Sequence, residues 1–391
     1  MSLRLDQLIR AIADALDIVE SELLGATTNH GRRIAALCAV MARDFGLSET
    51  EISALATCAL FHDSALSEAP AMPRHCELGQ RNIELLPLGT DVSGYILYHH
   101  EHADGSGVFS KREGEYPLGA ELIAIADISD VENRFQNTRD LDALLRRTER
   151  DPRFTKRAAY ALCSVLSDEL LEKLRDENIA ATDELLIPAW NIQPDDAALM
   201  KIAELAAHII DYKSEFTRRH TSQIANRSWL MGEFYDFSRA EKARLFLAAA
   251  LHDLGKLAIP PEVLEKAGKL TDEEFITIKS HVSQTRKLLK GVEGLEEIRE
   301  WAGNHHEKLN GKGYPRGLDA SRLDFNSRLI ACIDVYQAVS EARPYHGQRT
   351  HGETMAILQR MAADGGLDAD IVSDMDTVMA RYSMKEVPAP V

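Results

Sequence analysis

Cysteine is scarce and unpaired in this 391-residue chain: Cys38, Cys58, Cys76, Cys163 and Cys332 are odd in number, scattered, and form no C-x-x-C pair. That argues against a disulfide framework and against a zinc ribbon. Aromatic residues make up only 6%, whereas Ala and Leu recur in runs, a balance that favours helix over sheet. No apolar run approaches the roughly 18 residues that a membrane span requires. No long basic run offsets the formal net charge of −17, so the surface should repel duplex nucleic acid and anionic membranes. Solubility explains such a charge, and any phosphate substrate must then be drawn in by local cations, for which metals are the obvious source. The opening MSLRLDQLIRAIADALD is amphipathic and carries acids, unlike a signal peptide, so a cytoplasmic protein without membrane association is expected.

Glycine and proline cluster in a few places, such as IPPEVLEKAGKL and NGKGYPRGL, so most of the chain is uninterrupted. The length suits two domains, and an apolar fraction of 45% allows each a core.

Histidine organises the sequence. His30, the His62-Asp63 pair, His75, the His99-His100 pair and Asp127 occur in the first half. His220, His252-Asp253, His281, His305-His306 and Asp334 follow in the same order in the second. Thirty-two residues separate the first histidine from the His-Asp pair in both halves, and 24 separate the single histidine from the His-His pair in both. The last aspartate follows the His-His pair by 27 residues in the first half and 28 in the second, and only the interval after the His-Asp pair differs widely, because the second half carries an extra loop, GKLAIPPEVLEKAGKL. One buried histidine is usually a satisfied core residue. Seven polar positions recurring in register indicate an internal duplication that kept its polar constellation.

The intervening segments read as amphipathic helices. ETEISALATCALFHD and RAEKARLFLAAALHD each end on the His-Asp pair, the second with Ser238 as its N-cap. The expected fold is therefore all-α: two helical bundles, residues 1–130 and 194–391, joined by a helical connector over 131–193 that ends in the proline-broken IPAWNIQPDD.

Imidazole with carboxylate and no thiolate suits Fe, Mn, Zn or Ni rather than a structural zinc site. Five histidines and two aspartates exceed the needs of one tetrahedral ion and suit two ions bridged by a carboxylate. Such a pair activates a water and holds both oxygens of a phosphoryl displacement.

Residues 213–346 resemble the HD-GYP domain, a branch of the HD phosphohydrolase superfamily. The resemblance runs through KSEFTRRHT, LHDLGKLAIPPEVLEKAGKLTDEEF, IKSHV, NHHEKLNGKGYPRGL and RLIACIDVYQAVSEARPY. It implies an all-helical metal-dependent phosphodiesterase acting on cyclic di-GMP or a related cyclic dinucleotide, with iron or manganese favoured. It further implies that His220, His252, Asp253 and Asp334 hold one metal. Asp253, His281, His305 and His306 would hold the other. Asp253 and Lys256 become the catalytic residues, with Lys256 stabilising phosphoryl charge or protonating the leaving oxygen. Tyr314 and Arg343 would line the substrate groove, although Gly313-Tyr314-Pro315 equally suits a plain turn.

Departures from the family pattern fall at Phe216, where members with a third metal carry glutamate, and at Asn310, Thr285 and His346. The first copy resembles a divergent member of the superfamily. It keeps every ligand type, so His30, His62, Asp63, His75, His99, His100 and Asp127 form a candidate second metal site. Ser64 and Ala65 follow its His-Asp pair without the lysine, and GVF replaces GYP. A sensory or dimerising role suits it better than hydrolysis of cyclic dinucleotides. Two alternatives stand beside the leading reading: a nucleotidase or general phosphohydrolase, and a metal-bound signalling module that binds a nucleotide or protein partner without turnover.

Overall fold

The structure, a computed structural model, describes residues 3–24, 28–68, 72–133, 135, 140–189, 195–214, 219–266, 268–342, 347–382 and 385–390. Among these, every regular element is helical, and extended backbone pairs only at an isolated bridge between Asn310 and Asp319. No described helix is long and apolar enough to cross a membrane.

The chain forms two compact units, one of residues 16–193 and one of residues 1–15 with 194–391. Helix α1 (Leu5–Leu24) contributes to both groupings. The first unit continues through α2 (His30–Asp44), α3 (Glu49–Leu60), α4 (Met72–Glu84) and α5 (Leu118–Asn133). It then adds α6 (Leu141–Arg150), α7 (Lys156–Val165), α8 (Asp168–Lys173) and α9 (Ile179–Leu186). These last four helices fall in the segment expected to be a connector. They group with the first unit because α7 packs on α2 and α5, and α9 on α2, burying Ala158, Ala161, Leu162 and Ile179. Residues 190–194, the middle of IPAWNIQPDD, lie outside the described residues.

The second unit repeats the plan with α10 (Asp196–Tyr212), α11 (His220–Phe234) and α12 (Arg239–Leu251). A 3-10 turn (Leu254–Ala258) and a short α13 (Pro261–Leu264) occupy the extra loop. Then come α14 (Asp272–Leu288), α15 (Glu296–Gly303), α16 (Phe325–Ser340), α17 (His351–Ala363) and α18 (Ala369–Met379).

The helix that delivers each His-Asp pair is built identically. Ser48 caps α3 and Ser238 caps α12, each accepting the N–H of a glutamate three residues on while that glutamate accepts the serine N–H in return. This reciprocal box satisfies two orphan donors and fixes the helix start 14 residues before the histidine. Every residue of Ile52–Leu60 and Leu245–Leu251 is buried, as expected of a helix enclosed on all sides.

The helix bearing the first histidine also begins alike in both units. Asn29 and Arg219 take left-handed backbone conformations, φ 61° and 97°, immediately before His30 and His220. A carboxylate from the preceding helix replaces the missing side-chain cap. Asp17 accepts from the N–H of Asn29 (2.5 Å) and Gly31 (3.3 Å), and Asp211 accepts from Thr221 (2.8 Å) and Ser222 (3.1 Å). Negative charge at a helix N-terminus is favourable, and here it locks the histidine in place.

Candidate metal centres

Each unit gathers its seven sequence-predicted residues. In the second unit the ligand atoms of His220, His252 and Asp334 lie within 4.8 Å of one another, as do those of His281, His305 and His306. Asp253 stands between the two groups: its Oδ2 is 2.9 Å from His252 Nε2, and its Oδ1 is 3.3 Å from His281 Nε2 and 3.9 Å from His305 Nε2. The first unit shows the same division, with His30, His62 and Asp127 in one group and Asp63, His75, His99 and His100 in the other.

Backbone geometry aims the rings. His62, His99, His252, His281 and His305 each place Nδ1 2.5–2.9 Å from the carbonyl three residues earlier, that of Ala59, Ile96, Ala249, Ile278 and Ala302 respectively. A carbonyl can only accept, so Nδ1 carries the proton and the Nε2 lone pair faces inward. The buried Nε2 atoms of His62 and His99 have no hydrogen-bond partner. Such orphaned bases are costly unless something electrophilic meets them. The donor set of imidazole and carboxylate therefore fits Fe, Mn, Zn or Ni in both units.

The first histidine of each unit is oriented by a carboxylate that sequence reasoning missed. His30 Nδ1 lies 2.7 Å from Asp130, and His220 Nδ1 lies 2.9 Å from Glu341. Asp130 is itself held by Arg33, fully buried, through Nε (2.8 Å) and a terminal nitrogen (2.9 Å). In the second unit the position of Asp130 is filled by Gln337, and the carboxylate comes from Glu341, one helical turn later. That shift hid the equivalence from an in-register comparison.

Charge follows burial and neighbours. Burial opposes the protonated form of His220, but Glu341 and Asp334 outweigh it and push its pKa up to about 9. Burial, reinforced by Lys256 and His306 against the pull of Asp253, drives His281 down to about 4. His305, His306, His99 and His100 are likewise lowered chiefly by burial, which keeps their rings neutral. Despite full burial, Asp253 is held well below the carboxylate range by His252 and Lys256, and Asp334 is lowered by His220 and His306.

Lys256 lies on the 3-10 turn with Nζ 2.5 Å from Asp253 Oδ2. Tyr314 packs its ring against His306 at a 33° tilt, centroids 4.8 Å apart, and the ammonium of Lys279 sits 5.6 Å from the Tyr314 centroid. Arg343, Phe216 and His346 lie outside the described residues.

A glutamate after each His-His pair organises the loop that follows, another feature missed from sequence although HHE recurs in both copies. Glu307 accepts from the N–H of Arg316 (2.7 Å) and Leu318 (2.8 Å), and Glu101 accepts from those of Phe109 and Lys111 (both 2.5 Å). The loop returns so closely that a Cβ on Gly313 would lie 2.4 Å from Glu307 Cα, and one on Gly107 2.5 Å from Glu101 Cα. Glycine is thus required at both positions. Asn310 accepts from Lys312 N–H (3.1 Å) just as Asp104 accepts from Ser106 N–H (2.9 Å), so the Asn-for-Asp departure preserves a turn. Thr285 joins His252 O and Gly255 N–H through its hydroxyl, tying α14 to the 3-10 turn.

Two stretches, residues 27–132 and 204–371, match the HD domain family, each spanning one constellation. A 3′3′-cGAMP-specific phosphodiesterase (number 1) of Vibrio cholerae is 30% identical to this chain over 95% of its length and 90% of the relative's. This chain belongs to the HD-GYP branch of the HD-domain phosphohydrolases. A second phosphodiesterase of the same specificity and organism (number 3) is 30% identical over 66% of the chain and 57% of the relative. The crystal structure of a cyclic GMP-AMP-specific phosphodiesterase of V. cholerae superposes with a TM-score of 0.66 at 21% identity, covering 97% of this chain and 98% of that one, which establishes the shared fold.

As an HD-GYP protein the chain is a metal-dependent phosphohydrolase with two HD-domain stretches. The copies differ where family members carry their lysine: Asp63 is followed by Ser64, Ala65 and Leu66, against Leu254, Gly255 and Lys256 after Asp253.

Proposed function

We propose that the second unit hydrolyses a phosphodiester bond of a cyclic dinucleotide, with 3′3′-cyclic GMP-AMP and cyclic di-GMP as the leading substrates. The observation that carries this reading is Asp253, whose two carboxylate oxygens face separate histidine groups. One carboxylate can thereby serve two ions, each completed by imidazoles from α11, α14 and the residues following α12 and α15. When bound, a pair of divalent ions, Fe(II) or Mn(II), would lower the pKa of a water and withdraw charge from the phosphoryl oxygens.

The chain's own residues supply the rest. Neutral His281, His305 and His306 present lone pairs without a competing proton. Lys256, beside Asp253, offers the cation that a surface of net charge −17 otherwise lacks for an incoming phosphate. It can neutralise a non-bridging oxygen or give its proton to the departing one. Tyr314, its ring tilted against His306, offers an aromatic face to a nucleobase. Arg343 is proposed as a further groove residue on the family resemblance alone. In the first unit the absence of that lysine supports a metal-holding role without cyclic-dinucleotide turnover.

The test is anaerobic purification, metal analysis per chain, and assay of both cyclic dinucleotides and a generic phosphodiester with Fe(II) or Mn(II). Asp253→Asn and His252→Ala should abolish turnover, and Lys256→Ala should lower kcat more than it raises KM. Unchanged hydrolysis in Asp253→Asn would remove the second unit from consideration. Tight nucleotide binding without product under metal-replete conditions would favour the signalling-module reading instead.

A further inference from the structure

Of the seven residues of the second centre, His306 is the most open. Its side chain is 30% exposed, against 8% or less for the other six. A phosphodiester therefore reaches the ligand atoms most directly from the His306 side, and two segments converge there. The loop after α15 brings Tyr314, whose N–H donates to His306 O (3.1 Å) and whose ring packs against the imidazole. Helix α14 brings Phe275 and Lys279, four residues apart and so on one face. Lys279 Nζ lies 4.8 Å from the Phe275 ring centroid and 5.6 Å from that of Tyr314.

Both distances are within cation–π reach, a contact that holds an ammonium in place without cancelling its charge. Lys256 and Lys266 are paired with Asp253 and Glu274, whereas Lys279 has no carboxylate partner among the described residues. Phe275 is itself 50% exposed, so this aromatic surface faces solvent rather than core. The arrangement is confined to the second unit. Counted from the shared histidine and glycine, Lys279 and Tyr314 correspond to Pro73 and Val108 in the first. A cyclic dinucleotide carries two phosphodiesters, each with one negative charge. The metal ligands and Lys256 serve the one being cleaved. The other stays outside the centre, before a chain of net charge −17, and needs a cation of its own.

We propose that Lys279, held by the rings of Phe275 and Tyr314, binds the non-reacting phosphodiester of the cyclic dinucleotide and so selects substrates with two phosphates. The inference rests on the cyclic-dinucleotide reading and adds to it the residue that recognises the second half of the substrate. Because Lys279 touches substrate away from the scissile bond, its contact is the same in ground and transition states. It therefore acts on KM rather than on kcat.

The experiment uses the full-length chain loaded with Mn(II). Lys279→Met keeps the apolar stem and removes the charge. For wild type and variant, kcat and KM are measured on 3′3′-cyclic GMP-AMP and on bis(p-nitrophenyl) phosphate, a diester with a single charge, with Mn(II) per chain determined alongside. If wild type binds the cyclic dinucleotide without turnover, Kd from equilibrium dialysis takes the place of KM. Losing one charge-assisted contact should raise KM for the cyclic dinucleotide about tenfold or more with little change in kcat, and Lys279→Arg should recover most of the loss. The kcat/KM for bis(p-nitrophenyl) phosphate should fall by less than about threefold. Equal losses on the two substrates would place Lys279 on the reacting phosphate, and a reduced Mn(II) content would make it a support of the metal centre; either result overturns the proposal. So does a cyclic-dinucleotide KM within about threefold of wild type. A wild-type chain that cleaves bis(p-nitrophenyl) phosphate but neither binds nor cleaves a cyclic dinucleotide would instead refute the substrate reading, and this inference with it.

Discussion

Replacing Glu307 by glutamine probes the loop that carries Tyr314. The side chain is 3% exposed, and its two oxygens accept separate backbone N–H groups, those of Arg316 at 2.7 Å and Leu318 at 2.8 Å. Glutamine keeps one acceptor but turns the other position into a donor, facing a donor. The loss of one charge-assisted bond, about 1.5–3 kcal/mol, adds to a buried N–H left without a partner, about 1–3 kcal/mol. The expected cost is therefore about 2.5–6 kcal/mol. In a unit of this size each kcal/mol lowers Tm by about 2–4 °C. Thermal unfolding with and without Mn(II) measures it, and hydrogen exchange over residues 308–318 should show the loop opening first. Hydrolysis should fall because Tyr314 loses its seat on His306, while metal content persists. Glu101→Gln should destabilise the first unit to a similar degree without touching hydrolysis in the second. A loss below about 1 kcal/mol in Glu307→Gln would refute the view that this carboxylate, rather than the Gly313 close approach, holds the loop.

Gly255→Ala should cost about 3 kcal/mol or more, the top of the overpacking range, because the new Cβ would lie 2.0 Å from His281 O and 2.6 Å from Thr285 N, both backbone atoms. Urea unfolding checks the stability, and metal analysis should show weakened retention as α14 is pushed from the 3-10 turn. Arg33→Met should destabilise the first unit by about 3–5 kcal/mol, since it strands the buried Asp130 carboxylate; a neutral result in calorimetry would contradict the role given to this pair. Glu300, opposed by burial but held below its ordinary value of 4.5 by Arg286 and Arg316, has a depressed folded pKa. Its stabilising contribution is present above pH 4.5 and is lost as pH falls through the lower folded value, so wild type and Glu300→Gln should differ in Tm at neutral pH and converge in acid.

The sequence alone made the repeated all-helical architecture legible and pointed to a metal-dependent phosphohydrolase. Register is conserved between the halves, so His62-Asp63 and His252-Asp253 could be recognised as ends of equivalent helices before any coordinates existed. Ser238 as the N-cap of α12 was likewise legible, because capping is a local interaction, whereas the matching box at Ser48 emerged only with the structure. What depended on tertiary structure were contacts between distant segments. Asp130 and Glu341 lie about 100 residues or more from the histidines they orient, and they occupy different helical turns in the two copies. Residues 141–186 read as a connector because their amphipathic helices reveal that a face is buried, not against which partner; packing on α2 and α5 assigned them to the first unit.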